Sequence, residues 1–391
     1  MKRDSLGGKR GPMIRSRLVP VIAWLILSSA NVFAQTPSDA AIRKILADRV
    51  YAQNLGIGIV VGVIDAHGRR VFAFGGLSRT DKSRPDGETV FEIGSITKEF
   101  TSLLLTDMAR RGEVALTDPV SKYLPADVKM PERNNRKITL ADLSTHSSGL
   151  PRMPSNFKPK DDANPYADYS VQQLYDFLSG YRLTRDIGTQ YEYSNLGAGL
   201  LGHALSLRAA MSYEALLRAR VLDPLGMSNT RITLTPEMKA RLAMGHKEAP
   251  RTSDNPYGLA PVPNWDIPTL SGAGALRSSA NDMLTFLAAY LGYVKTPLAD
   301  AMADQLSIRR QSDGSDFEVG YGWRVQTKYG STIVWHGGAT GGYRCYIGFD
   351  PEARVGVIVL SNVLMPLVDD IGPHLLNPKY PLSKDSPFDG K

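Results

Sequence analysis

The chain has a single cysteine, Cys345, among 391 residues, so no intramolecular disulfide can brace it. Histidine is almost as scarce. The six present are scattered, with no H-x-x-x-H or comparable spacing, which argues against a metal held by the protein. Long apolar runs are missing too: "LVPVIAWLIL", Leu18 to Leu27, holds ten residues, where a membrane-spanning helix needs roughly 20. Nor is one sign of charge in real excess. The formal net charge is +7, but residues 1–34 contain six bases (Lys2, Arg3, Lys9, Arg10, Arg15 and Arg17) against one acid, Asp4, which leaves 40 bases against 38 acids. A nearly neutral remainder offers no basic face for nucleic acid, and the high isoelectric point reflects the leader.

What is present begins with that leader. A basic stretch, the short apolar run and then "SSANVFAQ", with Val32 and Ala34 where a signal peptidase reads, together predict a cleaved secretory signal ending near Ala34. The protein is therefore expected in the periplasm or outside the cell, its remaining chain starting near Gln35 with no stable membrane span. Cys345 lies in "GGYRCYIGF", a strand pattern, so it is expected to be a small buried hydrophobe and not a thiol nucleophile.

The rest, 42% hydrophobic overall, is long enough to bury a large core. A helical pattern runs from Ala40 to Tyr51. "GIGIVVGVIDAHGRRVFAFGG" reads as two strands joined at Ala66-His67-Gly68. A helix from Ser95 carries Phe100, Leu103, Leu104 and Met108 at helical spacing, and Gly112 stops it. Helical segments and polar loops fill the stretch from Thr117 to Asp266; Thr139-Leu-Ala-Asp142 is a capping box, and Ser170 and Ser212 are N-cap candidates. After a helix near Ser279, "GYGWRVQ", "STIVWHGG", "YRCYIGFD" and "RVGVIVLSN" are strand patterns. Strands thus occupy both ends and helices the middle, which predicts one sheet built from both ends with the helical block inserted as a second lobe. Ser95 would lie at the seam, where clefts tend to form.

Three short motifs stand in order: Ser95-Ile96-Thr97-Lys98, Tyr193-Ser194-Asn195 and His336-Gly337-Gly338. Each alone is weak. Ser95 reads equally well as an N-cap with a surface lysine after it, Tyr193 as a surface aromatic and Asn195 as a cap. Together they suggest an activated nucleophile. A serine hydroxyl attacks poorly until a neighbour takes its proton, and a lysine one helical turn on points its amine there. Burial and the helix N-terminus both disfavour an ammonium ion at that place. Tyr193 offers a phenol that nearby cations would depress into a general base. Asn195 offers an amide to hold a substrate carbonyl and orient Lys98.

With these motifs in place the chain resembles the penicillin-recognising serine hydrolases, the group of class C β-lactamases and D-alanyl-D-alanine peptidases. "LTDPVSKYLP", "ITLADLSTHSSGLP", "YSNLGAGLLG" and "LDPLGMSNT" are phrases typical of it, and the resemblance runs from about Ala40 to Asn362. It implies an α/β fold of the α+β, two-lobe kind. An antiparallel sheet flanked by helices would form one lobe (about 35–116 and 267–391), with an inserted all-helical lobe (about 117–266), the whole 35–391 being a single unit. It implies no cofactor, a small-molecule or peptidoglycan-peptide substrate, and Ser95, Lys98 and Tyr193 as catalytic residues. Asn195, His336, Gly337, Gly338 and Ala339 would bind substrate, the backbone N–H groups of Ser95 and Ala339 forming an oxyanion hole. "VLMPLVDDIGPHLLN" leaves room for only a short closing helix.

Two decoys are set aside. Ser253-Asp254-Asn255 spells a class A β-lactamase motif but follows Tyr193 in the chain, the wrong order for that role. Ser95 is not in a G-x-S-x-G elbow, which argues against an α/β-hydrolase triad. The third motif departs from the Lys-Thr-Gly of the strongest β-lactamases. Some peptidases of the family place His first, and family VIII esterases often show Trp-Gly-Gly there; Trp335 precedes His336 here. Three activities remain open: hydrolysis of D-Ala-D-Ala peptides or β-lactams, hydrolysis of carboxylic esters, and penicillin sensing without turnover. If His336 grips an anionic substrate it must be protonated, so binding is expected to weaken as pH rises through roughly 6–8.

Overall fold

Strand β1, Gly58–Asp65, is buried along all but its last residue, as a strand covered on both faces must be. It turns at Gly68 (φ +115°) into β2, Gly68–Gly75. The other six strands of the same sheet come from the far end of the chain: β3 Arg310–Gln311, β4 Glu318–Val319, β5 Arg324–Lys328, β6 Ser331–Ala339, β7 Arg344–Asp350 and β8 Val355–Ser361. Their order is β2-β1-β8-β7-β6-β5-β4-β3, antiparallel throughout. The two chain ends meet where β1 pairs β8, Ile59 opposite Ser361 through Ile64 opposite Gly356. The computed structural model describes residues 1, 36–52, 58–255, 258–312, 314–365 and 368–383; the expected signal segment lies outside them. The described residues from 36 onward belong to one compact unit.

Alternation along the strands sorts their side chains into two cores. Val61, Val63, Val357 and Val359 meet Ile42 and Leu46 of helix α1 (Asp39–Ala47), together with Ile371 and Leu375 of a short helix, Ile371–Leu376. That last helix has only six residues, as the sequence allowed. Val60, Ile64, Ile358 and Leu360 face the other way, toward helices α2 (Thr97–Arg110) and α3 (Ala280–Tyr290). There Phe100 stacks on Phe286, ring centroids 4.2 Å apart. Side chains this fully buried contribute roughly 1.5–3 kcal/mol each.

The intervening stretch joins the same inner core through Leu143, Leu174, Leu196 and Leu200. Its caps are formed as expected: Thr139 and Ser170 close capping boxes, and Ser212 caps Tyr213–Leu217. It is not purely helical, however. Glu132–Arg133 pairs with Arg136–Lys137, and His246–Glu248 with Leu259–Pro261. The first is a two-residue hairpin on Asn134 (φ 51°) and Asn135 (φ 57°), a turn in which asparagine tolerates left-handed backbone.

Candidate active site

Ser95 sits where a strand hands over to a helix. Val90–Glu92 pairs with Arg277–Ser279, a tight turn covers Gly94–Ile96, and α2 follows. The Ile93 amide donates to Leu276 O, and Leu276 N donates to Thr97 Oγ1 at 3.2 Å, fixing this turn against the 271–279 segment. No side chain caps the helix start, so the N-cap reading of Ser95 is excluded. Gly94 holds φ +49°, and a Cβ there would meet Ala339 O at 2.5 Å and Ala339 N at 2.8 Å. Gly338 presses equally close on Ile93 O. Only glycines allow this approach, and through it the end of β6 lies directly on the turn that carries Ser95.

Lys98 is 2% exposed. Its Nζ lies 3.0 Å from Ser95 Oγ, 2.9 Å from Asn195 Oδ1 and 2.6 Å from Ala273 O. Burial pushes its pKa well below the ordinary lysine value; the charges of Arg152 and Arg324 push the same way, and Glu99 opposes them. A neutral amine has two N–H groups and one lone pair. The two carbonyl oxygens only accept, so they take the N–H groups and the lone pair is left to accept the Ser95 O–H.

Tyr193 and Asn195 arrive together. Ser194 caps the helix Asn195–Ala209, its Oγ accepting from Gly197 N at 2.8 Å and donating to Pro151 O at 2.7 Å. His146 Nδ1 accepts from Ser194 N at 3.1 Å. Asn195 Nδ2 donates to Tyr166 Oη at 3.1 Å. The Tyr193 ring has Lys98 Nζ, Arg152 Cζ and Arg324 Cζ at 4.8, 5.1 and 5.4 Å from its centroid. These neighbours were expected to depress its phenol. Burial instead pushes the pKa upward, outweighing the downward pull of Ser95, Arg324 and Arg152. At rest Tyr193 is therefore a proton donor facing Ser95, not a phenolate base.

His336 requires a second correction. It is 2% exposed, its Nδ1 is 2.7 Å from Gly337 O, and burial together with Arg324 and Lys98 holds its pKa well below the usual histidine value. A histidine kept neutral cannot be the cationic anchor, and it supplies no binding limb between about pH 6 and 8.

The candidate residues share one cleft of about 850 Å³, lined by Ser95, Tyr193, Asn195 and the run His336–Ala339, with Lys98 beneath Ser95. Sequence reasoning missed the cations in it: Lys328 and Arg344, which are paired with Asp316 and Asp369, and Arg152 and Arg324. Arg324 also stands over Phe317 and Trp335, at 4.9 and 5.0 Å. Neither Arg152 nor Arg324 forms an ion pair with an acid among the described residues. Tyr166 and Trp265 were missed as well; their rings pack at 5.4 Å on the cleft wall. The other thiol and serine candidates fall away. Cys345 is 1% exposed and burial pushes its thiol up to about 12. The Ser253–Asn255 turn lies outside the cleft, where Asn255 bonds Pro250 O and Leu259 N.

The Beta-lactamase family model matches residues 46–375. Over 331 residues the chain is 30% identical to the D-alanyl-D-alanine-carboxypeptidase/endopeptidase AmpH of Escherichia coli (strain K12), covering 80% of this chain and 81% of that one. Among solved structures it is similar to the beta-lactamase/D-alanine carboxypeptidase of Yersinia pestis (TM-score 0.70, 27% identity, 83% of this chain and 94% of that one). It is also similar to the class C beta lactamase of Rhodobacter sphaeroides (TM-score 0.71, 26% identity, 86% and 98%).

Proposed function

This chain belongs to the Beta-lactamase family, and we propose that it is an exported hydrolase that forms an acyl-enzyme on Ser95 with carboxylate-bearing amides, D-Ala-D-Ala-type peptides or β-lactams. The leader of residues 1–34 supports export. The observation that carries the substrate class is the pair of unpaired guanidiniums, Arg152 and Arg324, in the cleft beside Ser95. Arg324 is half-buried and Arg152 stands exposed at the cleft mouth; a half-buried cation gains from an anion that joins it, and a planar guanidinium suits a carboxylate.

In this reading the Lys98 lone pair takes the Ser95 proton as Oγ attacks the carbonyl. The developing oxyanion faces the N–H groups of Ser95 and Ala339. Collapse of the intermediate breaks the amide C–N bond, and Tyr193, protonated at rest, gives its proton to the departing nitrogen. The proton held by Lys98 returns to the Tyr193 phenolate. Water then adds to the ester and releases Ser95. Tyr193→Phe is expected to lower kcat by about 10²–10⁴, the worth of a positioned proton transfer. A few-fold change, measured on purified protein, would remove Tyr193 from this role.

A second reading, ester hydrolysis, is favoured by one feature: a neutral His336 followed by Gly337 leaves the third motif without a cation or a hydroxyl. Arg324→Gln separates the two. Losing a charged hydrogen bond costs about 1.5–3 kcal/mol, so kcat/KM for a carboxylate-bearing penicillin should fall about 10- to 100-fold, while a neutral short-chain ester should change less than about threefold. Any effect transmitted through Tyr193 strikes both substrates alike, so the difference isolates charge recognition. Equal changes, with ester the faster substrate, would support the esterase instead.

A further inference from the structure

Behind the cleft lies a buried acid that this chemistry leaves unused. Glu99 follows Lys98 in α2, is 0% exposed, and neither carboxyl oxygen has a hydrogen-bond partner. Facing it, His336 Nε2 is also unpartnered, 3.8 Å from Glu99 Oε1. The loop before β5 stays bare to admit the carboxyl: a Cβ on Gly322, at φ +82°, would lie 2.6 Å from Glu99 Oε2.

The state of the ring follows from its other contact. His336 Nδ1 is 2.7 Å from Gly337 O, an oxygen that only accepts, so the ring proton sits on Nδ1 and Nε2 is a bare acceptor. The one thing Nε2 lacks is a donor, and a carboxylic acid carries one.

We infer that Glu99 is a positioning residue whose protonated carboxyl donates to His336 Nε2, directly or through one water, and so fixes the ring that holds the Gly337 carbonyl and the Gly337–Ala339 edge of the cleft. This rests on the acyl-enzyme reading, because that edge carries the proposed oxyanion donor. The groups facing Glu99 are Lys98 on its own helix, Arg324 on β5, His336 on β6 and Tyr290 on α3, while His146 faces His336. Burial pushes the Glu99 carboxyl well above the ordinary range, against the pull of Lys98 and Arg324. Burial also pushes the pKa values of Lys98, His146 and His336 well below their ordinary values and the Tyr290 phenol up. The donor exists below the folded pKa of Glu99 and is lost as pH rises through it, so acylation should fall on the alkaline side.

The test is the acylation rate by a fluorescent penicillin, measured from about pH 5 to 10 on the full chain. Wild type should show the alkaline fall. Glu99→Gln, whose amide N–H donates at every pH, should lose it. Glu99→Leu should be slower by about 10- to 100-fold throughout, as for a misplaced site. The same alkaline fall in wild type and Glu99→Gln overturns the proposal. A second readout is independent of activity: ¹⁵N NMR of the wild-type histidine rings, with His336 assigned through His336→Asn. It should find the proton on Nδ1 and a hydrogen-bonded Nε2; a proton on Nε2 overturns the proposal. If wild type is never labelled on Ser95, the acyl-enzyme reading has failed, and the NMR result still decides the Glu99–His336 contact by itself.

Discussion

Replacing Ser95 by alanine is expected to abolish covalent labelling by penicillin and to cut turnover by about 10⁴–10⁶, the scale seen when a nucleophile is removed from a site that works as a unit. The fold should barely register the change. The Ser95 hydroxyl makes no helix cap, and its bond to Lys98 is worth about 0.5–1.5 kcal/mol net. Thermal unfolding should therefore stay close to wild type while chemistry is lost. If activity survived in Ser95→Ala, neither serine of the other two motifs would explain it: Ser194 is occupied by Gly197 N and Pro151 O, and the Ser253 turn is outside the cleft.

The second large effect belongs to Lys98. Lys98→Met keeps the length of the side chain but removes the lone pair that accepts the Ser95 proton. Acylation should fall by about 10²–10⁴, and the loss should be largest above the Lys98 pKa, where the wild-type amine is neutral, and smallest on the acid side, where it is already protonated. The sign follows from its depressed pKa. The neutral amine is the useful form, so wild-type acylation rises as pH increases through that pKa, and the variant should lack this rise. Methionine also leaves Asn195 Oδ1 and Ala273 O without their donor, a cost of about 1–3 kcal/mol for each buried group left unsatisfied. A folded variant with an unchanged pH profile would show that Lys98 is only a strut.

Much of this site can be read from short-range spacing. Ser95 and Lys98 meet because residues three apart share a helix face, and Tyr193 with Asn195 arrives as one loop-to-helix entry capped by Ser194. The sheet was legible too, since strand patterns at the two ends of the chain had no partner except each other. What escaped depends on long-range packing. Arg152 and Arg324 look like ordinary surface cations in the sequence, and only the fold brings both guanidiniums over the ring of Tyr193. The protonation states were misread for the same reason. A sequence gives the identity of His336 and Tyr193 but not their burial, and burial outweighs the charges nearby. Glu99 carries no signal in the sequence, and only the fold sets it opposite His336. The Asn134–Asn135 hairpin lies within the stretch read as helical segments and polar loops, and its two-residue strands are too short to show a strand pattern.

The central claim is that Ser95 carries the acyl group. Brief exposure of the wild-type protein to a penicillin, followed by quenching, proteolysis and mass spectrometry of the peptides, tests it directly. The account predicts a single adduct on the peptide containing Gly94-Ser95-Ile96, with fragment ions placing it on Ser95. An adduct on Ser194, Ser253 or Cys345 would contradict it.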